Sequence, residues 1–215
     1  MSALHLTIHS ETPEMRKIAK VTEALREGAV ILYPTDTGFA LGCELSNKEA
    51  INRIRRIRDV NYNKSLTFLC RSLSNLAEFA KVSNKAYKTI RGLIPGPYTF
   101  ILPASKEVPK YAQNPKRKTS GIRVPEHTLA QLLLKDLDRP IISITAKLPG
   151  QDYIQDPDEL LEAFKNLVDV SVSSDRYDFS GESTIIDMTE DVFTIHREGA
   201  GMDKVEEFVK AEESA

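Results

Sequence analysis

Ala29-Val30-Ile31-Leu32-Tyr33 is an unbroken apolar run. A strand with one wet face alternates apolar and polar residues, whereas a strand covered on both faces reads as continuous hydrophobe. The run therefore predicts a central strand with structure packed above and below it. The flanking segments supply those layers. Residues 4–8 alternate and predict a strand. Thr12 then predicts the cap of a helix with Pro13 in its first turn, ending near Gly28, with Ile18, Val21 and Leu25 as its buried stripe. A Thr- and Gly-rich turn from Pro34 to Gly42 follows the central strand. Ser46 to Glu49 spells a capping box for a helix carrying Ile51, Ile54 and Ile57.

Further strands are predicted at 66–70, 98–102, 121–124, 140–144 and 168–172. Helices are predicted around 74–80, 84–92, 127–136 and 156–166, the last capped by Asp156. The stretch 103–120 reads as a loop or short helix, 183–187 and 192–196 as a hairpin, and the end from Glu206 as an acidic helix that frays. Alternating strands and helices with late clustered strands predict a single mixed α/β sheet with helices on its faces. No linker or repeat interrupts it, so one domain, 1–205, is expected with an acidic tail, 206–215.

The chain has 215 residues, 41% of them hydrophobic, and a formal net charge of −2. No apolar run approaches the roughly 20 residues that span a bilayer, and the first residues carry no signal-peptide pattern. Cys43 and Cys70 are expected to be reduced, buried thiols, and a cytoplasmic location follows. The small net charge hides an asymmetry. Residues 51–125 hold 16 Lys or Arg against Asp59, Glu78 and Glu107, a net of +13, which leaves −15 on the remainder. Such a middle suits a polyanionic partner, nucleotide phosphates or RNA, unless the acidic remainder merely neutralises it.

Several chemistries are missing. There is no Gly-x-Gly-x-x-Gly, no Walker loop and no Gly-x-Ser-x-Gly elbow. His5 and His9 fall about 13 Å apart on a strand, and His127 and His196 lack a zinc-type pattern. What remains is a set of hydroxyls, guanidiniums and ammoniums near strand ends. Thr35, Asp36, Thr37 and Gly38 follow the central strand. Arg55, Arg56 and Arg58 are expected to fan over the solvent side of their helix, with Lys64 just beyond. Ser143 and Thr145 share a strand face near Lys147, and Ser183 and Arg197 lie at late strand ends.

In order, these segments resemble the YrdC/YciO family of threonylcarbamoyl-AMP synthase-like proteins, above all its YciO branch. The matching motifs are Tyr-Pro-Thr-Asp-Thr-Gly-Phe-Ala-Leu-Gly-Cys at 33–43, Arg-Ile-Arg at 56–58 with Lys64, and Pro-Gly-Pro-Tyr-Thr at 95–99. They continue with Ile-Arg-Val-Pro at 122–125, Ser-Ile-Thr-Ala-Lys-Leu-Pro-Gly at 143–150, Ser-Thr-Ile-Ile-Asp at 183–187 and Arg-Glu-Gly at 197–199.

The resemblance implies an open, twisted mixed sheet with a basic concave surface. It also implies condensation of ATP, L-threonine and bicarbonate, with Mg²⁺, into L-threonylcarbamoyl-AMP for modification of tRNA adenosine 37. Carried over by motif, Arg56, Arg58 and Lys64 would be the catalytic cations at the ATP phosphates. Thr35, Arg123 and Ser183 would hold threonine, and Thr119, Ser143, Thr145, Lys147 and Arg197 would line the nucleotide. The family is also associated with double-stranded RNA, so a nucleotide- or RNA-binding protein without efficient synthesis is the alternative. Arg56 stands where the family carries Lys, and Lys147 stands where it carries Asn. A protonated Lys has no lone pair with which to ligate a metal.

Overall fold

A computed structural model describes residues 3–62, 64 and 66–213. In chain order the elements begin β1 (Leu4–Ile8), α1 (Met15–Arg26), β2 (Ile31–Thr35), β3 (Gly38–Glu44), α2 (Lys48–Arg58) and β4 (Thr67–Leu69). They continue α3 (Leu73–Phe79), α4 (Asn84–Leu93), β5 (Tyr98–Pro103), β6 (Thr119–Arg123), α5 (Thr128–Leu137) and β7 (Ile141–Thr145). The chain closes with α6 (Pro157–Phe164), β8 (Val170–Ser174), β9 (Thr184–Asp187), β10 (Thr194–Arg197) and α7 (Met202–Glu213). The strands form a 10-stranded mixed sheet ordered β1-β8-β2-β3-β7-β4-β6-β5-β9-β10.

The apolar run becomes β2, an interior strand buried at every position. The sheet as a whole is covered unequally on its two sides. Helices α2, α3, α4 and α6 pack on one face against Leu32, Leu41, Phe68, Phe100, Ile122 and Ile142. On the other face α1 and α5 bury Ile31, Tyr33, Ala40, Leu69 and Ile141, all from the β1 half of the sheet and the β4 strand at its middle. Side chains two apart on a strand share a face. Thr67 and Arg123 thus continue that second face, where no helix covers them. No described helix is long and apolar enough to cross a membrane.

Several local expectations are corrected. Glu14, not Thr12, occupies the N-cap of α1, without a side-chain cap bond. The Thr12 amide turns back to His9 Nδ1 at 3.2 Å, which leaves Pro13 outside the helix. Asn47 rather than Ser46 caps α2, accepting from the Ala50 amide at 2.9 Å. The Ser46 hydroxyl is spent on Glu44. The stretch 34–42 is no open turn. Thr35 pairs with Gly38, so β2 and β3 form a tight antiparallel hairpin around Asp36 and Thr37. Gly38 has φ +127, a backbone state that a side chain would strain. The boundary at 205/206 falls inside α7, where Val205 is buried and Phe208 packs on the core. Residues 214–215 of the expected fraying end lie outside the described residues.

Arg55 is also corrected: it points inward. It is 3% exposed, with its guanidinium 5.5 Å from the Tyr62 ring centre. It donates to the Asn61 and Lys64 carbonyls at 2.9 Å each and reaches the Tyr111 carbonyl at 3.4 Å. Lysine carries the charge but not the planar fork. Arg55→Lys should therefore lower unfolding stability in urea by about 2 kcal/mol or more and speed proteolysis of the 59–66 loop. An unchanged midpoint would show that the loop is held otherwise.

Candidate functional site

The uncovered part of the second face is the floor of a cavity of about 740 Å³. Register explains why the floor lies deep. Gly42 and Thr67 pair with Ser143, and Gly121 pairs with Thr67, which sets small residues side by side across four strands. A Cβ on Gly121 would come within 2.7 Å of Thr67 Oγ1, so only glycine lets the floor close up there.

At one end the β2–β3 hairpin presents a hydroxyl pair. Thr35 Oγ1 donates to the Gly38 carbonyl at 2.8 Å and lies 3.2 Å from Thr37 Oγ1. Arg123, at the end of β6, reaches this hairpin from across the sheet. Its Nη1 donates to Thr37 Oγ1 at 2.6 Å and its Nε to the Gly96 carbonyl at 3.3 Å. Its Nη2 forms an ion pair with Asp36. Arg123 and Asp36 are 5% and 7% exposed, so the pair sits in a weakly screened place. Burial pulls the Arg123 pKa below its usual value, while Asp36 pushes back. At any physiological pH the guanidinium stays charged. Asp36 Oδ2 also accepts the Glu126 amide at 3.2 Å.

A second guanidinium faces the same end. A register shift between Ile195 and Arg197 re-aims the end of β10. Arg197 donates to the Ser183 carbonyl and to Ser183 Oγ at 3.0 Å each, and pairs with Glu182 at 3.3 Å. Ser183 Oγ in turn lies 3.0 Å from Thr99 Oγ1. The segment carrying Glu182 and Ser183 is pinned by aromatic contacts, with Phe39 5.2 Å from Tyr177 and 5.7 Å from Phe179.

The other end is cationic. Arg58 Nη1 donates to the Lys147 carbonyl at 2.7 Å, which ties the end of α2 to the segment after β7. Arg58 Nε is buried without a hydrogen-bond partner. Lys64, on the loop held by Arg55, lines the cavity with Lys147, Ser143 and Thr145. The site-lining cations are Arg58, Lys64, Arg123, Lys147 and Arg197. The acid among the lining residues is Glu182, already paired with Arg197.

The cavity thus brings together Thr35, Arg123 and Ser183 with Arg58, Lys64, Ser143, Thr145, Lys147 and Arg197. It does not bring in Arg56 or Thr119. Arg55 and Arg58 are three apart and share a helix side, whereas Arg56 is turned about 100° away and is exposed. Thr119 shares the face of Arg123 but lies about 13 Å along the strand, buried against the β5 end. Sequence reading missed Thr37 as a partner of Arg123. It also missed Thr99, and Tyr153, whose hydroxyl takes the Phe39 amide at 3.1 Å. Thr99 carried a signal in the 95–99 motif, but Tyr153 carried none.

The donor set does not suit a metal held by protein. Hard divalent cations take carboxylate and carbonyl oxygens. The lining acid is engaged at the far end, and no group of three or more His, Cys, Asp or Glu that could hold a metal occurs among the described residues.

Comparison with known proteins bears on the family and the fold. The family model Sua5/YciO/YrdC, described as "Telomere recombination", matches residues 23–199. Escherichia coli YciO, itself uncharacterized, is 40% identical over 195 residues, covering 90% of this chain and 94% of its own. Its crystal structure superposes with a TM-score of 0.85, covering 92% of this chain and 96% of that one. A threonylcarbamoyl-AMP synthase from Hydrogenovibrio crunogenus is 29% identical over 154 residues, covering 70% and 82% of the two chains. The P. abyssi Sua5 structure complexed with L-threonine gives a TM-score of 0.87 at 26% identity, covering 95% of this chain and 60% of that one.

Losing one partner of a buried ion pair leaves an uncompensated charge. Asp36→Asn should therefore cost about 3 kcal/mol in chemical denaturation. Asp36→Asn with Arg123→Met should cost less than the sum of the two single changes. Additive costs would mean that the two side chains do not act as a pair.

Proposed function

The chain belongs to the Sua5/YciO/YrdC family, and on that premise we propose that the cavity condenses ATP, L-threonine and bicarbonate into L-threonylcarbamoyl-AMP and pyrophosphate. One observation carries the reading. A hydroxyl-and-guanidinium end and a cationic end share one cavity. Arg123 and Arg197 suit the carboxylate of a β-hydroxy amino acid, with Thr35, Thr99 and Ser183 around its hydroxyl. Arg58, Lys64 and Lys147 suit a phosphate chain.

The chemistry needs little beyond this. The threonine amine condenses with bicarbonate to a carbamate with loss of water, and a carbamate oxygen then attacks the α-phosphorus in line as pyrophosphate leaves. Such a step asks for alignment and charge neutralisation rather than a protein nucleophile. Arg123 and Arg197 hold the amino acid at one end. Arg58, Lys64 and Lys147 at the other stabilise the charge that builds on the leaving pyrophosphate.

Pyrophosphate release should depend on both threonine and bicarbonate. Arg58→Ala should lower kcat by about 100-fold. Arg197→Ala should raise the threonine KM more than it lowers kcat. Release that ignores threonine would sink the synthase reading. A second reading, binding of tRNA or double-stranded RNA without turnover, is favoured by one observation. Lys110, Lys116 and Lys118 are exposed together on the 104–118 loop. It predicts affinity that falls steeply with salt and that Lys116→Glu with Lys118→Glu abolishes.

A further inference from the structure

We propose that the Arg58–Lys64–Lys147 end of the cavity takes the phosphate chain of a nucleotide free of divalent cation, with the Lys147 ammonium supplying the charge a metal ion would bring. The inference rests on the nucleotide reading above and specifies the form in which that substrate enters.

Three observations carry it. First, carboxylate ligands for a metal are missing where the phosphates would lie. The lining acid, Glu182, is drawn to Arg197 at the opposite end, and Asp36 is held behind Arg123. Ser143 and Thr145 offer neutral hydroxyls, and a protonated Lys147 offers no lone pair at all.

Second, the main chain that carries the cations is tied in place, and the ammoniums lack counter-charges. The Lys147 backbone is tied to Arg58 at 2.7 Å, and the Lys64 backbone to Arg55 at 2.9 Å. Among the described residues, neither ammonium has a carboxylate partner. Like charges gathered at one rim repel one another until an anion joins them. A dication placed there would add to the repulsion and compete with the ammoniums for the same phosphate oxygens.

Third, Arg58 Nε is buried and unpaired, a donor still waiting for an acceptor. A phosphate chain satisfies all three cations at once, and its own charge takes the place of the missing carboxylates.

Calorimetry on the full chain tests this. ATP in EDTA should bind, and excess Mg²⁺ should weaken the apparent affinity several-fold by removing the free nucleotide. Mn²⁺ alone, followed by its electron-spin signal, should stay unbound. Lys147→Asn and Lys147→Met should each weaken binding of free ATP by about tenfold or more, and Lys147→Asn should reverse the effect of Mg²⁺. The Arg58 bond uses the Lys147 main chain, so both variants retain it, and thermal melts check their folding. If either variant fails to fold, the arms with the unaltered protein still decide. ATP binding that requires Mg²⁺, or stoichiometric Mn²⁺ on the protein alone, overturns the proposal and leaves the nucleotide reading standing. No ATP binding under either condition overturns both.

Discussion

The structure turns on an imbalance of cover. A sheet of ten strands offers two large faces. One is roofed along much of its width by four helices, while the other has α1 and α5 near one end. Apolar side chains left bare on the open stretch would cost free energy and invite aggregation. The chain meets this by changing residue type where the roof stops. The face reads Ile31, Tyr33, Ala40, Ile141 and Leu69 under the helices, then Thr67, Ser143, Gly121, Thr99 and Arg123 beyond them. The cavity is the half of the sheet that was never given a roof, and its polarity follows from that.

Charge follows the same division. The basic middle of the sequence is not one surface. Arg53 and Arg55 are spent on structure, binding Asp169, the Leu167 carbonyl and the loop carbonyls. Arg117 is drawn to Asp187, whose carboxyl it helps hold below the usual range against the opposing effect of burial. Arg58, Lys64 and Arg123 face the cavity, and Lys106, Lys110, Lys116 and Lys118 face solvent. One compositional bias therefore serves three separate ends, and only the fold tells them apart.

Much of this was readable beforehand, for physical reasons that vary by residue. The apolar run at 29–33 and the amphipathic helices follow from periodicity, which is local. The cap of α2 slipped by one residue because Ser46 and Asn47 are both good caps, and the bond from Ser46 back to Glu44, two residues earlier, decided between them. The 33–43 motif read as a loop because Thr and Gly are turn formers. Cross-strand pairing with β7 made most of it a strand. Arg56 and Arg58 were indistinguishable by type, and helix phase alone separates them. Thr37 as a partner of Arg123 required knowing that two segments 86 residues apart meet.

Arg55 grips two carbonyls of one loop, those of Asn61 and Lys64. One guanidinium, anchored on α2, thereby sets the spacing of the two carbonyls. The Lys64 backbone takes its position from a side chain nine residues earlier rather than from its immediate neighbours in the chain.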